Sequence, residues 1–162
     1  MNLGLSEDLS EAFPNIIPEN RPQVINPIIP DVNWFIGFTL AEGNFQVSIM
    51  KSENSKIGYY ILLRFTLVQH ERDEQLMNYL VSYLNCGRVE KKRETSHFTV
   101  SKLEDIVKKI IPLLQDKFTM GDKSKDYNDF CQVVELMKKK EHLTEDGLGF
   151  FLILKARMNR ER

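Results

Sequence analysis

A chain of 162 residues, 42% hydrophobic and 28% charged, is long enough for one domain with its own core and has the charge density of an ordinary folded protein. No apolar run approaches the roughly 20 residues of a membrane-spanning helix, and the acidic opening stretch lacks the apolar core of a signal peptide. A formal net charge of −1 does not announce a nucleic-acid binder, yet residues 1–50 hold six acidic residues against Arg21, leaving 21 basic and 17 acidic residues after them. Those counts fit a basic face on the later part of the chain, and equally a solvated surface of mixed charge.

Residues 1–32 are expected to form an arm ahead of a single domain over 33–162. They hold five of the six prolines, Pro14, Pro18, Pro22, Pro27 and Pro30, which keep a chain extended. Ser6 is positioned to cap a short helix through Phe13. The next helix is predicted over Trp34–Glu42, capped by Asp31 or Asn33. Trp34, Phe35, Ile36, Phe38 and Leu40 make it apolar on nearly all sides, which predicts a buried helix. Gly37 and Ala41, four apart, share one face and would let a second helix backbone approach closely, with Phe38 and Leu40 adding apolar area.

Strict alternation follows. Over Asn44–Ser52, Phe45, Val47 and Ile49 alternate with Asn44, Gln46 and Ser48, and Met50 falls on the polar side. Tyr59–Gln69 is a second strand, with Ile61, Leu63, Phe65 and Leu67 on one face and Tyr60, Leu62, Arg64, Thr66 and Val68 on the other. Asp73–Leu84 is an amphipathic helix with Leu76, Met77, Leu80 and Leu84 inward, stopped at a left-handed Gly87. A charged hairpin pairs Arg88–Lys91 with Ser96–Ser101. Helices are then expected over Leu103–Gln115, interrupted near Pro112, over Lys123–Glu141, and after a Thr144 cap. The order predicts an α+β fold, one four-stranded antiparallel sheet with helices on one face. Cys86 and Cys131 show no close pairing motif, which fits two small buried residues in a reducing compartment.

The face away from the helices would show Asn44, Gln46, Ser48, Met50, Tyr60, Leu62, Arg64, Thr66, Val68, Arg88, Glu90, Lys92, His97 and Thr99. Alternation alone leaves two readings open. An antiparallel sheet tolerates a solvated face; equally, Gln, Asn, Ser, Thr and Arg are side chains that contact base edges, and β-ribbons fit the major groove. His70 and His142 are expected to be ordinary surface residues, and no spacing supports a zinc site.

The segment Trp34-Phe35-Ile36-Gly37-Phe38-Thr39-Leu40-Ala41-Glu42-Gly43-Asn44-Phe45 resembles the motif of the LAGLIDADG homing endonucleases, a helix ending in small-acid-glycine before a strand. Val68-Gln69-His70, Asn85-Cys86-Gly87, Gly121-Asp122-Lys123-Ser124-Lys125-Asp126, Leu143-Thr144-Glu145-Asp146-Gly147-Leu148 and Met158-Asn159 extend the resemblance along nearly the whole chain. Leu9-Ser10-Glu11-Ala12-Phe13-Pro14-Asn15-Ile16 looks like the linker before the second half of two-motif, single-chain members. The resemblance therefore implies an αββαββα domain like the C-terminal half of such an enzyme, an isolated half that acts in intron homing. Many members carry Asp where this chain has Leu40, a departure that bears on the partner rather than on the chemistry.

By the same resemblance Glu42 is the acid that binds Mg²⁺, replaceable in vitro by Ca²⁺ or Mn²⁺. Gln69 orients water, and Lys123, with Lys125 near it, faces the scissile phosphate. The implied partner is double-stranded DNA. The assembly is a homodimer through Gly37, Phe38, Leu40 and Ala41 on a near-palindromic site, or else a pairing with an N-terminal half. The implied location is organellar, in mitochondria. An intron maturase of the same fold without nuclease activity, or a structural domain with no nucleic-acid role, would keep the sheet without needing Glu42.

Overall fold

A computed structural model of the chain describes residues 7–16, 29, 31–115, 117–118 and 122–158. The helix α1 (Glu7–Ala12) buries none of its residues. Its expected Ser6 cap and most of the proline-rich arm lie outside the described residues, although Ile29, near the end of that arm, is in the core. Helix α2 (Val32–Glu42) runs without a loop into strand β1 (Gly43–Lys51), which turns back as β2 (Tyr59–His70). Helix α3 (Glu74–Leu84) leads to the hairpin of β3 (Arg88–Lys92) and β4 (Thr95–Val100). Among the described residues the helices α4 (Leu103–Asp105), α5 (Ile111–Leu114), α6 (Asp122–Lys138) and α7 (Glu145–Arg157) follow. The four strands form one antiparallel sheet in the order β1-β2-β4-β3.

The alternating pattern decides the layers. Phe45, Val47, Ile61, Leu63, Phe65, Leu67, Phe98 and Val100 point to one side of the sheet and are buried under Met77, Leu80, Ile106, Ile110, Phe130 and Val133. Phe45, three residues after Glu42, is the hub. Its ring centroid lies 5.4 Å from those of Phe65, Tyr127 and Phe130 and 5.6 Å from Phe118. Side chains from β1, β2 and α6 thus lock the helix–strand junction to the core.

Asp31 is the residue that caps α2: its Oδ1 accepts from the Asn33 and Trp34 amides at 2.7 and 3.0 Å. The expectation of a helix buried all round is corrected. Phe35, Ile36 and Thr39 are buried, but Asn33, Gly37, Leu40 and Ala41 are exposed along the opposite side. An all-apolar helix buries whatever face its own chain offers a neighbour, and here the sheet covers one side only.

Two further expectations shift. The left-handed stop of α3 falls on Asn85, φ 49°, and Gly87 takes a second left-handed position at φ 80° with its α-carbon against the Phe98 ring. The interruption at Pro112 is a widened turn rather than a break. Residues 106–110 form a π turn closed by the Ile111 amide on the Ile106 carbonyl, and Pro112 enters the short α5 at its start. Proline lacks the N–H and its ring crowds the carbonyl four residues back, and the wider turn accommodates both. The Thr144 cap is present, its Oγ1 accepting from Gly147 at 3.1 Å.

Candidate nucleic-acid interface and cleavage centre

Strand register fixes which side chains share the open face. Asn44 pairs with Thr66, Gln46 with Arg64, Ser48 with Leu62 and Met50 with Tyr60. Across the next ladder Thr66 pairs with Thr99 and Val68 with His97. Arg88 then sits opposite Thr99, Glu90 opposite His97 and Lys92 opposite Thr95. All fourteen face residues expected from alternation therefore lie on one surface. They differ in reach: Asn44, Gln46, Met50, Tyr60, Arg88 and Lys92 are exposed, whereas Thr66 and Thr99, 8% and 3% exposed, form a buried floor between taller neighbours.

Electrostatics on this face are arranged rather than diffuse. Arg88 Nε donates to Glu90 Oε1 at 2.6 Å, and this bond and charge hold the Glu90 carboxyl below the usual carboxylate range. Arg64 keeps its Nε buried with no hydrogen-bond partner among the described residues. His97 shares a 2.9 Å hydrogen bond with Thr95, and burial, helped by Lys92, pushes its imidazole below its ordinary pKa.

Glu42 and Gly43 meet at one end of this surface. The Gly43 amide donates to the Thr39 carbonyl, and a β-carbon at Gly43 would stand 2.4 Å from that same oxygen. With φ at −72° the requirement for glycine is steric, not conformational: any side chain here would force the helix end to shift. The turn leaves Glu42 exposed at the helix's electronegative end. Lys123, at the start of α6, donates its Nζ to the Ala41 carbonyl, one of the carbonyls a helix end leaves open. Burial lowers the Lys123 pKa, opposed by the neighbouring charge of Glu42. The fold therefore brings Lys123 to the end of α2, beside Glu42, across the 82 positions that separate it from Ala41.

Gln69 lies beyond Leu67, the partner of Gly43, at that same end of the sheet but on its helix-covered side, opposite Ser96. It is half-buried. Lys125 is exposed on the first turns of α6. Among the described residues no group of three or more His, Cys, Asp or Glu converges on a metal position. Sequence reasoning passed over His70 and Thr95, which the register puts opposite each other on the open face. Extending the alternation of Arg64, Thr66 and Val68 by one step would have found His70.

The family model described as LAGLIDADG endonuclease matches residues 35–134, from the motif helix α2 into α6. Two curated relatives are "Probable intron-encoded endonuclease 2" and "Probable intron-encoded endonuclease 3" of Neurospora crassa. The first is 36% identical over 167 aligned positions, covering 96% of this chain and 35% of the relative. The second is 37% identical over 161 positions, covering 97% and 30%. Among solved structures, the I-SmaMI LAGLIDADG homing endonuclease bound to cleaved DNA superposes with a TM-score of 0.91 at 41% identity, covering 100% of this chain and 55% of that one. I-LtrWI bound to target DNA gives 0.89 at 40% identity, again covering 100% and 55%. The chain thus spans about a third of the length of the curated relatives it matches and just over half of the solved ones. With the match running from the motif helix through all four strands into α6, and with relatives more than 30% identical over nearly the whole chain, the chain belongs to the LAGLIDADG endonuclease family.

Proposed function

We propose that this chain is one half of a site-specific, divalent-metal-dependent DNA endonuclease. The observation that carries the reading is the placement of Glu42, beside Lys123, at the end of a surface lined from all four strands by residues able to contact bases. In solved relatives named as DNA complexes the same fold is bound to its target, in one case with calcium ions present.

The donor set fits Mg²⁺. At the end of α2 this chain offers the exposed carboxylate of Glu42, and among the described residues no cluster of three or more metal-ligating side chains. Mg²⁺ is held by one or two protein carboxylates together with phosphate oxygens and water; zinc would demand a fuller set of nitrogen and sulfur ligands. When bound, the ion neutralises phosphate charge and lowers the pKa of water. Ca²⁺ or Mn²⁺ would occupy the same carboxylate in vitro. Glu42 presents its carboxylate toward the DNA backbone. Lys123 fixes the end of α2 through Ala41 and holds a positive charge where the cleaved phosphate gathers negative charge. Gln69, at the same sheet end, supports the orientation of the attacking water. Each half supplies one such acid, so two halves are needed to cut both strands.

Glu42→Gln keeps the size of the side chain and removes its charge. Mg²⁺-dependent cleavage, assayed on a selected DNA target with the partner half present, should vanish while DNA affinity stays within about tenfold, because base and phosphate contacts lie elsewhere. Undiminished cleavage by Glu42→Gln would reject the assignment. Binding to structured RNA with no DNA cleavage by the wild-type chain would favour a maturase.

A further inference from the structure

The open face divides into two chemistries. Toward β3 and β4 it is charged, with the Arg88–Glu90 pair, Lys92 and His97. Toward the far end of the β1–β2 hairpin it is apolar. Met50 and Tyr60, opposite each other, are 46% and 43% exposed, and Leu62 stands beside them opposite Ser48. The Tyr60 hydroxyl donates to Met50 Sδ at 2.9 Å, so the two large side chains form one pre-set pair. The open-face residues of this hairpin include no carboxylate, so nothing there repels phosphate. An outward sheet face usually carries polar residues; three large apolar side chains in register on it ask for an apolar counterpart.

We infer that the Met50–Tyr60–Leu62 surface recognises thymine through its C5-methyl group, making the outer flank of the target half-site thymine-dependent. This rests on the DNA-binding reading above and refines it. The thymine methyl is the apolar group that the major groove displays, and no hydrogen-bond donor or acceptor on a side chain is needed to select it. Strand geometry gives the position. Eight residues separate Glu42 from Met50, about 26 Å along a strand, or roughly eight base-pair steps. Leu62, level with Ser48, falls about six steps out by the same measure. Between these positions and the cleavage centre, Gln46 and Arg64 pair across the ladder and supply polar contacts instead.

The test uses uracil, which differs from thymine only by the missing methyl. Duplexes retained by the full chain are selected from a randomised pool, and each thymine of a retained sequence is then replaced singly by uracil. Affinity should fall about fourfold at one or more thymines in the outer flank, the loss expected for one buried methyl group, and stay unchanged at the steps facing Arg64. Met50→Ser combined with Leu62→Ser should abolish that sensitivity without altering the response elsewhere. If duplexes are retained but uracil is neutral at every outer thymine, the methyl-recognition inference fails and the DNA reading stands. If no duplex is retained, the DNA reading itself fails, and this inference with it. Because the change is made in the DNA, the wild-type protein gives the answer even if a variant does not fold.

Discussion

At the scale of single residues, the junction between α2 and β1 is decided by distances a methyl group cannot meet. Gly43→Ala would drive a β-carbon into the Thr39 carbonyl, forcing the helix end to shift and carrying Glu42 with it. We expect a loss of about 1–3 kcal/mol in stability and a much larger proportional loss of cleavage. Chemical denaturation beside a cleavage assay checks both, and unchanged cleavage by the alanine variant would remove the steric account. Lys123 gives a prediction in pH. Burial lowers its pKa from the ordinary value of 10.5, so between the lowered value and 10.5 the unfolded chain binds more protons than the folded one. Stability contributed by this group therefore rises with pH through that window. Activity should do the opposite, declining on the alkaline side as Lys123 loses its charge. Lys123→Arg, which stays protonated, should extend the alkaline limb if charge is what matters; a pH–rate profile unchanged by the substitution would assign the limb to another group. The position of Glu42 at the end of α2 was legible because acid and glycine follow an apolar run; its metal-binding role is what the family resemblance implies. The Lys123–Ala41 contact was not, since nothing local links two residues so far apart.

Elements were legible in proportion to how much of their environment the chain itself supplies. The two hairpins follow from period-two alternation, and their register brings the expected face together intact because a one-residue slip would have exposed Phe45, Phe65 and Phe98. Helix α2 is the opposite case. Its apolar residues lie on all sides, so the pattern cannot distinguish the face packed on the sheet from the one left exposed. The cap is local and was readable: Asp31→Ala should cost about 1 kcal/mol, removing an acceptor for two amides. A thermal melt measures it, and no shift in midpoint would mean that solvent replaces the cap fully. The exposed side of α2 supplies the complementary prediction. A β-carbon at Gly37 meets nothing within 4 Å among the described residues. Gly37→Leu should therefore leave the melting temperature of the isolated subunit within the small cost or gain of a helix-propensity change while abolishing assembly and cleavage. Retained assembly by Gly37→Leu would show that this face is not where halves meet.

For the whole molecule the question is what covers that exposed stripe. The described residues supply one such acid, Glu42, and one four-stranded sheet, and on the reading proposed above a double-strand break needs chemistry on two strands. The solved relatives are longer chains in which a domain like this one takes just over half the length, so a second half of related fold is the partner we propose. We propose a second copy of this chain as that half. Gly37, Leu40 and Ala41 lie exposed along one side of α2, with Phe38 half-buried beside them, and a patch meeting its own copy about a twofold axis makes an isologous dimer. The axis would place both copies of Glu42 near the centre and extend the two sheets in opposite directions along the duplex. Recognition would then be symmetric, and selection from a randomised pool should return inverted repeats of one half-site, each with its thymine-dependent flank outermost. Analytical ultracentrifugation at micromolar concentration, with Mg²⁺ and a selected duplex, should show two protein chains per duplex. One chain per duplex, with a selected sequence lacking any inverted repeat, would instead assign the second half-site to a different partner; adding that half to the wild-type chain should then produce cleavage, and adding it to Glu42→Gln should not.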